Sequence, residues 1–184
     1  MTRGTRPILK VDVLVRSDYW QDTRTAGAIV RRAVLRAAAT LSMNPAELAI
    51  VLTDDPTIRA LNRDWRGIDA ATNVLSFPTK NTDGRHLGDI VLAYETVARE
   101  ARRAHKPFAH HLAHLAVHGF LHLTGYDHEG EREALVMEDA ERAILRQLAI
   151  PDPYRARGRN NVGQPTRRPA KQDGRRGARV ASGA

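Results

Sequence analysis

Hydrophobic residues recur along the first half of this chain with two different periods. Between Ile8 and Arg16 apolar and polar residues alternate, which is typical of a strand with one buried face. Between Thr25 and Leu41 the apolar positions recur every three or four residues, and this spacing predicts an amphipathic helix. The same two patterns predict further strands over 47–53, 73–77 and 87–93 and further helices over 54–66, 94–104, 107–123 and 131–148.

The order of these elements predicts an α+β fold. Strands interleaved with two helices come first, and three helices then follow one another, so we expect a small mixed four-stranded sheet packed with about five helices. The helix over 54–66 has clear ends, because Asp54 supplies an acceptor for the free amides, Pro56 needs no amide partner in the first turn, and Gly67 stops the helix. On the last helix we assign Leu135 and Met137 to the core.

Composition divides the 184 residues into a single domain, 1–154, and a basic, disordered C-terminal tail, 155–184. After Pro153 there is no Leu, Ile, Phe, Met or Trp, so this segment cannot bury enough apolar surface to offset its ordering entropy. From Pro151 onward eight Arg and one Lys face two Asp, and this part holds most of the overall net charge of +8. The body is nearly neutral, so nonspecific attraction to phosphates would come mostly from the tail.

The remaining composition points to a cytoplasmic protein. The longest apolar run, Leu48–Leu52, is too short for a membrane span, and residues 1–10 contain no signal-peptide core. The chain has no cysteine, which excludes disulfides, thiolate catalysis and every cysteine-based zinc site.

Six of the eight histidines fall between residues 110 and 128. Within this stretch His118 and His122 lie one helical turn apart, so both imidazoles can bind one cation from the same side. Gly125 permits the chain to reverse and return His128 to the metal as a third ligand. Three histidines leave one position of a tetrahedral site open to water, as in catalytic zinc sites. We therefore predict a metal site on this helix and the loop that follows it.

Two alternatives limit this interpretation. A histidine pair at four residues also occurs without any metal, and we expect the other five histidines to be packing or surface residues, with His114 as the first exception. In the metalloprotease pattern H-E-x-x-H a glutamate follows the first ligand as general base, whereas here that position is Gly119. A base for a zincin-type reaction would have to come from Glu129 or Glu133.

Two stretches of the chain resemble a known family. Residues 117–129, VHGFLHLTGYDHE, are similar to the H-G-x-L-H-L-x-G-Y-D-H signature of the YbeY family of bacterial rRNA-maturation endoribonucleases. Residues 61–78, LNRDWRGIDAATNVLSFP, resemble a second block of that family, and LGDIVLA at 87–93 and DPY at 152–154 fit in order. The resemblance covers about residues 8–154 and leaves the basic tail outside.

The resemblance implies specific site residues. It makes His118, His122 and His128 the ligands of one ion per chain, Zn²⁺ by preference, with His118 and Arg66 in catalytic roles. A guanidinium at Arg66 suits a phosphorane-like transition state, because it meets two phosphate oxygens at once. The alternative is that Arg66 is a helix C-terminal cation favoured by the macrodipole.

Asn73 and Ser76, in the same block as Arg66, are implied to contact substrate, although either is equally compatible with hydrogen bonding at a strand edge.

The resemblance also implies a function. It predicts a single-strand-specific, metal-dependent endoribonuclease acting in 16S rRNA 3′-end maturation and ribosome quality control. The implied partners are rRNA, small ribosomal subunit proteins and a ribosome-assembly GTPase, with no membrane. Two other functions stay open: a metallopeptidase-like hydrolase, which shares the ligand helix, and a non-catalytic zinc-containing ribosome-assembly factor.

Overall fold

The elements of the computed structural model follow one another in the order that the periodicity predicts. The structure describes residues 9–21, 25–79, 85–128 and 130–155. The strands are β1 (Leu9–Val15), β2 (Ala46–Thr53), β3 (Val74–Pro78) and β4 (His86–Ala93). The α-helices are α1 (Ala26–Thr40), α2 (Asp55–Arg66), α3 (Tyr94–Arg103), α4 (Phe108–Leu123) and α5 (Glu131–Gln147). The α+β prediction is therefore confirmed, and a short 3-10 turn at Asp18–Trp20 is the described element that the periodicity missed.

The four strands form one mixed sheet in the order β1-β2-β4-β3. β1 and β2 run parallel, as do β2 and β4, whereas β3 pairs antiparallel with β4 and forms an edge of the sheet. The β2–β4 register shifts between Glu47 and Ala49, where β4 contains Gly88. Gly88 has a φ of 129°, and a Cβ on it would lie 2.1 Å from the carbonyl oxygen of Phe77. Only glycine permits this close approach of β3 to β4.

Helices cover both faces of the sheet. On one face α1 and α4 pack on sheet side chains that include Ile50 and Leu92, and α4 contributes Phe120; all three residues are fully buried. On the opposite face α2 packs through Ile58 on a smaller cluster that includes Leu75. The central strands are thus apolar on both faces, as expected for parallel strands between helices.

The helix ends follow the local sequence signals. The Asp54 side chain accepts a hydrogen bond from the Thr57 amide at 3.0 Å, and Gly67 closes α2 in the left-handed conformation with a φ of 71°. On α5 the core assignment is correct for Met137, which is 2% exposed, and wrong for Leu135, which is 60% exposed. Residue 137 lies on the same stripe as Ile144 and Leu145, whereas residue 135 lies on another side of the helix.

The C-terminal tail lies almost entirely outside the described residues. The compact unit that contains the sheet extends to Pro153, and of the unit that begins at Tyr154 only residues 154 and 155 are described. The predicted division into a domain and a basic tail therefore stays a prediction. In the described ranges, every helix is too short or too polar to cross a membrane.

Candidate metal centre

Helix α4 presents two histidines beside an apolar face. Its buried residues include Val117 and Phe120, which pack in the main core and fix the helix against the sheet. His118 and His122 follow one turn apart on a neighbouring side and are both partly exposed. Between them Gly119 touches the sheet, where a Cβ would lie 2.9 Å from Ile90 and 3.1 Å from the Ser76 hydroxyl. Gly119 therefore serves close packing of α4 on the sheet.

The chain reverses after α4 through a Schellman motif. The Tyr126 amide donates to the Leu121 carbonyl at 3.0 Å and the Gly125 amide donates to the His122 carbonyl at 3.2 Å. Gly125 has a φ of 93°, as the sequence suggested for this position. This turn carries the chain back along the end of the helix and brings His128 to the side chains of α4.

The three histidines form one cluster, called here the histidine cluster: His118, His122 and His128. One ring nitrogen from each lies within 4.8 Å of the other two, and the Nε2 atoms of His118 and His122 are 3.2 Å apart. The His128 ring centroid lies 5.6 Å from that of His118 and 4.9 Å from that of His122. Of the His, Asp and Glu side chains in the described ranges, these three form the one group arranged to share a cation.

Hydrogen bonds fix which nitrogen each α4 histidine presents. The Nδ1–H of His118 donates to Oε1 of Glu141 at 2.7 Å, and the Nδ1–H of His122 donates to the Tyr126 carbonyl at 3.1 Å. Because each neutral imidazole has one proton, both Nε2 atoms are left with a lone pair. Two lone pairs that face each other at 3.2 Å repel unless a cation or a proton lies between them.

The donor set fits a zinc ion in both chemistry and spacing. Two nitrogens bound tetrahedrally at about 2.0–2.1 Å are separated by roughly 3.3–3.4 Å, close to the 3.2 Å found between the two Nε2 atoms. His128 is exposed, so the cluster opens toward solvent on that side. Nitrogen-only ligation also suits other first-row transition metals, and the geometry by itself selects a class of metal rather than one element.

Burial lowers the pKa of His122 below its ordinary value, and the neighbouring His118 and His128 rings lower the pKa further. The ring is therefore neutral at pH 7, which is the form that binds a metal. A depressed pKa thus prepares this ligand for cation binding.

Glu141 is the residue beside the histidine cluster that sequence reasoning missed. It is fully buried on α5, and its two carboxylate oxygens accept from Nδ1 of His118 and from Nε2 of His114, the latter at 3.1 Å. A carboxylate behind a metal-binding imidazole orients the ring and increases its basicity. The signal was present, because Glu141 occupies the apolar stripe of α5 between Met137 and Ile144, where an unpaired acid would be costly.

Neither of the two glutamates suggested as bases is among the described residues beside His118, where Glu141 lies. Glu133 is exposed on the first turn of α5, and Glu129 lies outside the described residues. His114 does depart from the surface role expected for most histidines, since it contacts the same carboxylate as His118.

The other predicted site residues, Ser76, Asn73 and Arg66, lie in three different environments. Ser76 on β3 donates its hydroxyl to the Gly119 carbonyl at 3.1 Å, one residue from His118. Asn73 donates its amide to Glu100 at 2.9 Å, and the same carboxylate oxygen contacts His111. Asn73 is thus held by α3.

Arg66 is exposed at the C-terminal end of α2 and lines a cavity of about 740 Å³. In the described ranges it forms no hydrogen bond or ion pair with the histidine cluster. The structure therefore gathers the three histidines directly and leaves Arg66 on α2, which packs on the face of the sheet opposite α4.

Comparisons with known proteins agree over most of the chain. The sequence profile of the family described as "Endoribonuclease YbeY" matches residues 16–149. A Rhodopseudomonas palustris protein of that name is 54% identical, covering 86% of this chain and 87% of its own length. A Bradyrhizobium protein of that name is 51% identical, covering 83% and 96%.

A solved structure agrees on the fold. The solution structure of TM1509 from Thermotoga maritima shares 22% identity with a TM-score of 0.53, over 86% of this chain and 99% of that one. The profile and the two relatives, which extend through the histidine cluster, show that the chain belongs to the YbeY endoribonuclease family.

Proposed function

We propose that this protein is a metal-dependent endoribonuclease that cuts single-stranded RNA, with one Zn²⁺ held by His118, His122 and His128. The observation that supports this most directly is the pair of Nε2 lone pairs 3.2 Å apart, with a third imidazole beside them and an open side. The names of the relatives at 51–54% identity support RNA as the substrate class.

In this proposal some residues of the chain hold the ion and others contact the RNA. When bound, a zinc ion would supply Lewis acidity, which polarises a phosphate oxygen or lowers the pKa of a water molecule. Glu141 and the Tyr126 carbonyl keep the His118 and His122 rings in the ligating orientation. Arg66 contacts the phosphate as a bidentate donor and stabilises the charge that develops during cleavage.

We propose rRNA as the physiological substrate, with cleavage at the 3′ end of 16S rRNA and a role in ribosome quality control. Small ribosomal subunit proteins and a ribosome-assembly GTPase are the proposed partners, and the cytoplasm is the proposed compartment. These proposals rest on the resemblance of the VHGFLHLTGYDHE stretch to the family signature. Asn73 and Ser76 are proposed as residues that shape the substrate cleft, Ser76 through its contact with the helix that holds the ligands.

The first experiment measures metal content and RNA cleavage on the same preparations. Elemental analysis of the wild type should give one zinc per chain, and His128→Ala should contain far less zinc and cut no RNA. His110→Ala on the first turn of α4 is the matched control and should retain both. Full zinc content in His128→Ala would contradict the ligand assignment.

A second experiment separates the nuclease from the two other functions. The zinc-loaded protein is incubated with single-stranded RNA and with unfolded peptides, and Arg66→Glu is compared with the wild type. We expect RNA cleavage that Arg66→Glu abolishes while zinc content and thermal melting stay unchanged. Cleavage of peptides alone would support the metallopeptidase, and RNA binding without any turnover would support a non-catalytic assembly factor.

A further inference from the structure

An exposed tryptophan stands beside Arg66. Trp65 is 72% exposed, although an indole is among the side chains that bury most readily against a core. Its ring lies edge-to-face on Phe77 of β3, with ring centroids 5.8 Å apart. Because an edge-to-face pair covers at most one face of the indole, the exposed fraction leaves Trp65 able to stack on a planar ligand.

These two rings border a cavity of about 740 Å³, called here the Trp65 cavity. Its size is in the range of pockets that hold small organic ligands. The end of α2 forms one wall with Trp65 and Arg66, and the β3–β4 edge forms the opposite wall with Phe77 and Asp89. Ser76 also lines the cavity, but its side chain points to the other face of the sheet, where its hydroxyl donates to the carbonyl of Gly119.

Charge at the cavity indicates what kind of ligand fits. On α2, Arg59 forms a two-point ion pair with Asp69 and Arg63 pairs with Asp64. Arg66, by contrast, is paired with no acidic side chain in the ranges that the structure describes. An exposed indole beside an available guanidinium suits a ligand that is both planar and anionic.

Asp89 fixes the direction of such a ligand. Its carboxylate, 3.7 Å from the His86 ring, would repel a phosphate inside the cavity but can accept a hydrogen bond from the N–H groups of a base edge. A ligand bound in this way would place its phosphate toward Arg66 and its base edge toward Asp89.

We propose that the Trp65 cavity is a nucleobase-stacking subsite for single-stranded RNA. One unpaired base of the substrate stacks on Trp65, and an adjacent phosphate contacts Arg66. This inference rests on the proposed function, and it adds a subsite that holds the strand by a base on the α2 face of the sheet. Stacking on an aromatic ring is tolerant of sequence and requires an unpaired base, so the subsite favours single strands over duplexes.

The test compares binding of two oligomers to the full-length, zinc-loaded protein. One is an eight-nucleotide RNA with 2′-O-methyl sugars and phosphorothioate linkages, which resists cleavage, and the other is an abasic oligomer of the same backbone and length. We expect Trp65→Ala to bind the base-containing oligomer at least about fivefold more weakly and the abasic oligomer unchanged. Trp65→Phe should restore most of the affinity.

Tyr19 offers a matched control, because it is 56% exposed and stacks on Tyr94. Tyr19→Ala should leave both affinities unchanged. Intrinsic fluorescence gives a second readout: of the two tryptophans, Trp20 is 2% exposed, so quenching by the RNA should come from Trp65 and disappear in Trp65→Phe.

Three results would overturn the inference. Trp65→Ala could bind both oligomers as the wild type does, or lose affinity for both equally, which would mean that the ring acts only by supporting Arg66. A mononucleotide that binds as tightly as the oligomer would assign the cavity to a free nucleotide. Because binding is measured without turnover, absent cleavage by the wild type would refute the nuclease and not this subsite.

Discussion

The histidine cluster and the Trp65 cavity differ in how firmly their side chains are held in place. In the cluster, His118 and His122 are each fixed by a hydrogen bond from Nδ1, one to a buried carboxylate and one to a backbone carbonyl. At the cavity, Trp65 and Arg66 are exposed at the end of α2, and Arg66 has no acidic partner in the described ranges. The difference teaches that a metal requires preorganised ligands, whereas a flexible nucleic-acid strand requires side chains that can adjust to it.

Removal of a ligand is the strongest way to break the comparison. We expect His118→Ala to weaken zinc binding by more than roughly 100-fold, since loss of an outer partner alone costs about 10- to 100-fold. RNA cleavage should fall by at least the same factor, whereas binding of a cleavage-resistant oligomer at the Trp65 cavity should persist. Zinc affinity by chelator competition and oligomer affinity by anisotropy measure the two effects. Parallel loss of both would show that the two regions are not separable.

The carboxylate behind the cluster gives the next largest effect. We expect Glu141→Gln to weaken zinc binding about 10- to 100-fold, because an amide offers one acceptor where His118 and His114 now use two carboxylate oxygens. Glu138→Gln is the matched control on the same helix, since Glu138 pairs with Arg142 near the surface. Chelator competition on the two variants is the measurement. Equal zinc affinity in both would remove Glu141 from the site.

Acidification should affect the cluster through its ligands. The pKa of His122 is lowered chiefly by burial, so in the metal-free protein this ring stays neutral to a lower pH than an ordinary histidine. Zinc affinity should therefore hold as pH falls toward 6.5 and decrease below it, because protons then compete for the ligands. The unfolded chain binds the proton more tightly, so His122 also lowers folding stability as pH falls below about 6.5. An NMR titration of the ring that gives a pKa above that of a free histidine would contradict this.

The smallest effect is expected from the basic tail. Removal of residues 155–184 should lower RNA affinity a few-fold and flatten its salt dependence, because the removed arginines no longer release phosphate counterions. The maximal cleavage rate at saturating RNA should not change. Complete loss of turnover at saturation would place the tail in the active site, and rate against RNA concentration at two salt levels distinguishes these results.

Much of the fold could be predicted from local patterns. Described helix and strand ends fall within one residue of the periodicity-based boundaries, because caps such as Asp54 and Gly67 act within a single turn. The turn at Asp18–Trp20 escaped prediction, since Trp20 is buried by distant partners, including the Thr53 carbonyl at 2.7 Å. Leu135 was misplaced because hydrophobicity alone does not determine which side of α5 meets the core.

Part of the candidate site could likewise be predicted from local sequence, and part could not. His118 and His122 are one turn apart on one helix, and the turn at Gly125 reverses the chain. Their convergence with His128 could therefore be predicted from the local sequence. Glu141 lies 23 residues from His118, and only the packing of α5 against α4 joins them.

The sequence by itself determined the helix and strand periods, the helix caps and the spacing of the histidines, because each depends on neighbours along the chain. Tertiary structure alone decided that Glu141 orients His118 and that Trp65 meets Phe77 across a cavity. Such contacts depend on how helices pack on a sheet, and this packing is set by the summed burial of many distant side chains rather than by any local signal.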